Sequence, residues 1–205
     1  MKNDSLSSIS RAAACSLLLV LAFSGCALFR KDGQRMQYLI GEPGSSTAAS
    51  SGAPGLHVRP IHASLPFTGQ DFVYRTGDNT FESDYYNGFF VPPGDMFTEA
   101  TRNVLYSGTF VPASQFERTN KPQYILEGWI DAIYGDFRNP ERPIAVLEMR
   151  FTLFKSDRPE MRMMKRYSQE IPLQSKNPEA LVDAWNVAWN KISTQLRADL
   201  RAKTL

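Results

Sequence analysis

The chain has 205 residues, and its formal net charge of +2 comes from 23 basic and 21 acidic side chains of interspersed sign. That argues against nucleic acid as the main partner, because phosphate binding wants a clustered basic surface. Aromatic residues make up 12% of the chain and Phe alone counts 13, which suits a packed sheet or an apolar binding surface and excludes disorder outside a tether.

The first element is an export signal. Lys2 and Arg11 give a weakly basic start, diluted by Asp4, and Ala12 to Phe23 is an uncharged run of 12 residues. A bilayer-spanning helix needs about 20 apolar residues, so this run is a signal core and not a transmembrane segment. It leads into Leu21-Ala22-Phe23-Ser24-Gly25-Cys26, where the small residues Ser24 and Gly25 let a peptidase approach the backbone before Cys26. The hexamer resembles a bacterial lipobox, with Phe23 standing where such boxes usually carry an aliphatic residue. The resemblance implies cleavage before Cys26, a diacylglyceryl group on its thiol and an acyl chain on its amino group. Several chains on one residue make anchoring stable, whereas a single chain binds only marginally. Ala27, in place of the Asp that commonly means inner-membrane retention, implies sorting to the outer membrane, facing the periplasm. Cys15 would leave with the signal, so Cys26 would be the sole mature thiol and no intramolecular disulfide could form.

Residues 26–205 number 180 and carry a net charge of +1, the whole-chain +2 less the +1 of Lys2, Arg11 and Asp4. That length suits one domain with a real core plus a tether. The expected organisation is a signal peptide over 1–25, a lipidated N-terminus and flexible tether over 26–55, and a single α+β domain over 56–205. Gly44-Ser45-Ser46-Thr47-Ala48-Ala49-Ser50-Ser51-Gly52 cannot bury a core. As a free coil, Cys26 to Leu56 would reach about 30 Å root-mean-square. Met36-Gln37-Tyr38-Leu39-Ile40 is apolar enough to pair as a short strand over 37–40, however, and pairing would shorten the free tether to roughly ten residues.

Leu56 to Ile61 opens the folded region as a strand, with Pro60 favouring an edge or an end. After the Leu65-Pro66 break, Phe72-Val73-Tyr74-Arg75 and Thr80 to Tyr86 flank Gly77-Asp78-Asn79 as a predicted hairpin.

These segments carry a specific likeness. The Tyr38-Leu39 strand, the Gly/Ala/Ser linker, the strand ending in Leu65-Pro66, then Phe72-Val73-Tyr74-Arg75-Thr76 and Tyr85 resemble the ABC-type transport auxiliary lipoprotein family. That family includes the lipoprotein of the paraquat-inducible, MCE-type lipid transport system. The ordered similarity runs over about residues 37–200 and is sharpest at Val73-Tyr74-Arg75. The resemblance implies an MCE-domain protein of an ABC-type lipid transporter as partner. Homo-oligomeric rings occur in the family, so it also allows a homo-oligomer. Where the family commonly opens its first helix with an Arg-Trp-Ala-Glu-Pro-like run, this chain has Phe89-Phe90-Val91-Pro92-Pro93, whose prolines delay the helix start.

That helix is expected from Gly94-Asp95 to about Tyr106, with Phe97, Ala100, Val104 and Leu105 as its buried stripe. Gly108 to Val111 then returns as a strand. From Tyr124 to Tyr134, Tyr124, Leu126, Ile130, Ala132 and Tyr134 share one face while Glu127 and Asp131 mark the other. After Asn139-Pro140, Leu147, Met149, Phe151 and Leu153 alternate with Glu148, Arg150 and Thr152, a strand with one wet face. Met161 to Leu173 is the third long strand of an antiparallel meander. Asn177-Pro178 then caps a helix whose Leu181, Val182, Trp185, Ala188, Trp189, Ile192, Leu196 and Leu200 recur at helical spacing. The fold class is α+β: a mixed, largely antiparallel sheet with two helices packed on one face.

Catalytic signals are weak. His57 and His62 differ by an odd number and point to opposite faces of an extended strand, and there is no His-Glu-x-x-His, Cys-x-x-Cys, Gly-x-Ser-x-Gly or phosphate-loop pattern. No catalytic residue, metal or cofactor is expected beyond the covalent lipid on Cys26. Asp71, Asp78, Glu82 and Asp84 cluster around the hairpin as the one carboxylate set open to a hydrolase reading. Phe81, Tyr85, Tyr86, Phe89 and Phe90 lie within ten positions and are the candidate partner or lipid contacts, or else a plug between sheet and first helix. The function expected is therefore that of a non-catalytic outer-membrane lipoprotein docking the periplasmic transport component to the outer membrane. The alternative is an envelope-biogenesis scaffold or a penicillin-binding-protein activator.

Overall fold

The computed structural model describes residues 34–41, 52–112, 121–158 and 160–204. The signal, Cys26 and residues 44–51 of the Gly/Ser-rich run of the expected tether lie outside the described residues.

Nine strands and two helices follow one another in the described chain. They are β1 (Met36–Tyr38), β2 (Gly55–Val58), β3 (His62–Ala63), β4 (Asp71–Arg75), β5 (Phe81–Phe89), α1 (Pro93–Tyr106), β6 (Val111–Pro112), β7 (Tyr124–Asp136), β8 (Ile144–Lys155), β9 (Glu160–Pro172) and α2 (Pro178–Thr204). A short 3-10 turn at Leu65–Phe67 follows β3.

β7 is the hub of the mixed sheet. One edge pairs along its length with β8, and β8 pairs with β9, giving the expected antiparallel meander. The other edge takes three short parallel partners in succession: β2 at Tyr124–Leu126, β3 at Trp129–Ile130 and β4 at Gly135–Asp136. β4 and β5 form the antiparallel hairpin, and β1 adds in parallel to β5, with Tyr38 opposite Phe89. The apolar run after Arg35 therefore joins the sheet. The strand expected over Gly108 to Val111 shrinks to Val111–Pro112, because Gly108 turns the chain with a φ of +76°.

One phase reading of β7 is corrected. The register shifts between Ile130 and Ala132, so Asp131 is an extra residue and every side chain beyond it changes face. Leu126 and Ile130 point into the core as expected, but Ile133 takes the next inward place, and Tyr134 packs against Phe67 and Phe81 instead. The Asp131 carboxylate lies 3.0 Å from both Arg150 Nη2 and Arg166 Nε, tying the bulge to β8 and β9.

Both helices bury their apolar stripes in one cluster with the inward side chains of β7 and β8. α1 begins at Pro93, one residue earlier than expected, because a proline at the first helical position lacks only an N–H that has no helical partner. Its buried side includes Met96, Phe97, Ala100, Thr101 and Leu105, while Val104 sits at the margin. In α2 the Asn177 Oδ1 accepts the Ala180 N–H at 2.9 Å, and all eight expected stripe residues are buried. The two helices meet at Phe97 and Trp189, whose rings are 5.3 Å apart at 68°.

Candidate functional site

The β4–β5 hairpin departs from regular pairing at one place. Asp71 faces Gly88 while the next residue, Phe72, faces Asp84, so Tyr85, Tyr86 and Asn87 have no opposite residues on β4 and bulge out of the β4–β5 pairing. The Asp84 carboxylate organises this bulge. It accepts the N–H groups of Tyr86 at 2.8 Å and Asn87 at 3.1 Å, the Asn87 amide at 2.8 Å and the Tyr74 hydroxyl at 2.8 Å. Partial burial alone would push the acid's pKa up, but these four donors outweigh it and hold it below the usual carboxylate value. Tyr74 moves the other way, pushed well above an ordinary phenol first by burial and then by its bond to Asp84. Tyr85 and Tyr86 consequently stand outward, with their rings 5.4 Å apart and perpendicular.

Beside this bulge runs β1, held by contacts far along the chain. Arg35 pairs with Asp71 at 2.5 Å, and the Tyr38 hydroxyl donates to Glu179 at 2.9 Å. The Ile40 N–H points at the Met96 sulfur at 3.2 Å, and the Gly41 N–H donates to Asn186 at 2.9 Å. Residues 35–41 thus run from the hairpin edge to both helices. Gly88 is required where they cross, since a Cβ there would lie 2.5 Å from the Gln70 carbonyl and 2.7 Å from Arg35.

The five aromatic candidates separate. Phe89 is removed from the contact surface: it is only 2% exposed and packs against Phe72 and Trp185. As the residue opposite Tyr38, it faces the helices and not the solvent. Phe81 is half-covered by Tyr134 and by the Arg75 guanidinium above its ring. Tyr85, at 74% exposure, Tyr86 and Phe90 remain open. Met36 and Leu39, on and just after β1, are about half exposed as well; in the sequence they belong to an apolar run suited to a strand, and only the β1–β5 pairing sets that run beside the hairpin.

The four hairpin carboxylates do not converge. Asp71 pairs with Arg35, Asp78 with Arg138 at 3.4 Å, Glu82 accepts the Thr76 hydroxyl at 3.0 Å, and Asp84 is committed to the bulge. His57 lies exposed on β2, while His62 rests against Trp129 with ring centres 5.4 Å apart. Among the described residues, no group of three or more His, Cys, Asp or Glu is placed to hold a metal ion. No described helix is long and apolar enough to cross a membrane.

A second open surface is the outward face of β7–β9. It is built on ion pairs, with Arg59 on Glu127 and Asp131 between its two arginines, and it exposes Trp129, Met161 and Met164.

Comparison with known proteins matches this architecture. The family model described as "ABC-type transport auxiliary lipoprotein component" matches residues 38–197. Protein XCC0632 from Xanthomonas campestris has a similar fold, with a TM-score of 0.62 and 17% identity over 80% of this chain and 90% of that one. The crystal structure of an uncharacterised protein is similar with a TM-score of 0.64 and 14% identity, covering 82% of this chain and 99% of the other. No curated protein matches the sequence.

Proposed function

The chain belongs to the ABC-type transport auxiliary lipoprotein component family, and from that premise we propose that it is a non-catalytic outer-membrane lipoprotein serving an MCE-type lipid transport system. The observation that carries the reading is the extent of the match. Residues 38–197 run from the last residue of β1 to within the final turns of α2, so the whole described fold and not one motif supports it.

The physical logic joins an anchor to a rigid docking body. Cys26 carries the lipid, and Arg35, the first residue fixed by an ion pair to the hairpin, follows nine residues later. Nine residues span at most about 32 Å however they are arranged, so the sheet stays close to the membrane that holds Cys26. The outer face of β7–β9, stiffened by cross-strand ion pairs, then presents a fixed surface to the periplasmic MCE-domain protein. The ATPase and permease of such a system are separate subunits.

Affinity purification of the lipidated chain from solubilised envelopes, after in-cell cross-linking, tests the proposal. Recovery of an MCE-domain protein is the expected result. Recovery of peptidoglycan synthases without it supports the scaffold or activator reading instead.

A further inference from the structure

We propose that the β1–β5 edge of the domain lies on the lipid surface, with Tyr85, Tyr86 and Phe90 seated in the headgroup region of the membrane that anchors Cys26. The inference deepens the lipoprotein reading and rests on it.

Three observations point to this edge. The first is chain length. The strand nearest the anchor in sequence is β1, and the covalent path from Cys26 to Arg35 is about 32 Å at most, so β1 is the strand on the shortest leash.

The second is the character of the side chains gathered there. Tyr85, Tyr86 and Phe90 are all more than half exposed, with the Tyr85 and Tyr86 rings in contact, and Met36 and Leu39 on the neighbouring strand segment are each about half exposed. They come from adjoining strands, with Met36 opposite Asn87 and the Phe90 N–H bonded to the Tyr38 carbonyl at 2.8 Å. Tyrosine is suited to such a boundary, having an apolar ring and a hydroxyl that stays hydrated.

The third is how the bulge is held. Four donors fix the Asp84 carboxylate beneath it, so the two tyrosines are presented outward on an ordered backbone and lose little entropy on insertion.

The charge of the edge sharpens the expectation. Arg35 is neutralised by Asp71, Asp84 is turned onto its donors, and the other charged groups placed beside this edge, Glu82, Asp95, Glu99 and Glu179, are acidic. With no basic excess among its described side chains, the contact is apolar and interfacial and does not depend on anionic lipid or on low salt. A polybasic surface would behave in the opposite way.

The lipidated chain in vesicles of phosphatidylethanolamine and phosphatidylglycerol provides the test, with the photo-cross-linker benzoylphenylalanine placed at Tyr85, at Phe90 or at Met164. Met164 is exposed on β9, on the outward sheet face, and serves as the control position. Flotation with the vesicles is scored first, because a chain that does not float lacks the anchor and overturns both the lipoprotein reading and this one. Among floating samples, lipid adducts at positions 85 and 90 are expected to exceed those at 164 by roughly tenfold, unchanged when phosphatidylglycerol is halved. Equal yields at the three positions overturn the orientation while leaving the anchor intact. Cross-linked dimers at 85 and 90 without lipid adducts also overturn it, assigning the edge to a second copy of the chain.

Discussion

Gly41 and Ala100 touch so closely that a Cβ added to Gly41 would stand 3.0 Å from the Ala100 Cβ. Gly41 also has a φ of +84°, in the left-handed region that side chains disfavour. The contact joins a residue just past β1 to the middle of α1, so the N-terminal strand is closed onto the helical layer. Gly41→Ala is expected to lose about 1–3 kcal/mol, combining backbone strain with displacement of α1. Urea denaturation of the mature domain measures it, and an unchanged midpoint would show that residues 39–41 contribute nothing to the fold.

Asp84 supports a prediction about acid. Its folded pKa lies below the unfolded value of about 3.9, so its stabilising contribution is complete above that value and is lost as pH falls through the lower, folded one. Exchange protection of the Tyr86 and Asn87 amides should therefore hold at pH 5 and weaken below about pH 4. Asp84→Asn should show weakened protection at both pH values, because the amide no longer offers two charged acceptor oxygens. Retention of an acid step at these amides in Asp84→Asn would assign the titration to another group.

Trp185 is fully buried, lies 5.1 Å from the Phe72 ring and 5.4 Å from Phe89, and donates its indole N–H to the Val146 carbonyl at 3.1 Å. Trp185→Ala should cost about 3–5 kcal/mol, a large part of a typical domain's stability. Trp185→Phe keeps an aromatic ring but removes the donor and some volume, and should cost about half as much. Thermal unfolding of the two variants distinguishes the cavity from the lost hydrogen bond.

Tyr167 contributes to the alkaline limb, as Tyr74 does: its pKa is raised by burial first and then by the Asp199 carboxylate that accepts its hydroxyl at 2.8 Å. A phenol raised in the fold contributes fully below the unfolded value of about 10, and the contribution is lost as pH rises from there toward the folded value. Tyr167→Phe should flatten the loss of stability above about pH 10 while costing about 1 kcal/mol at neutral pH. Denaturant midpoints at pH 7 and pH 10.5 report both effects.

Cys26→Ser tests the anchor directly. Labelling with a lipid precursor should disappear in this variant and the chain should move to the soluble periplasmic fraction. Continued incorporation would remove the lipobox reading of Leu21 to Cys26.

Several features of the fold were legible from local chemistry. The α2 stripe from Leu181 to Leu200 has helical spacing under a capping Asn177, and every member is buried. Leu147 to Leu153 alternate and point inward on β8 as expected. In β7 the same reasoning held to Ile130 and failed after Asp131, because one inserted residue inverts the pattern without changing the composition. Helix α1 was placed correctly to within one residue, but its inward side includes Met96 and Thr101, which spacing from Phe97 had not singled out.

The aromatic cluster shows the division most clearly. From the sequence, Phe81, Tyr85, Tyr86, Phe89 and Phe90 were five equivalent candidates, since a run rich in rings reads alike whether it plugs a core or faces outward. The sequence by itself determined which side chains were available and which long segments had a period. Only the tertiary structure decided that Phe89 enters the core, that Tyr85 and Tyr86 are lifted on a bulge, and that Met36 and Leu39 stand beside them. The reason is physical: side-chain parity along a strand is set relative to its partners, and β5 takes its register from β4 before it and β1 some 50 residues earlier.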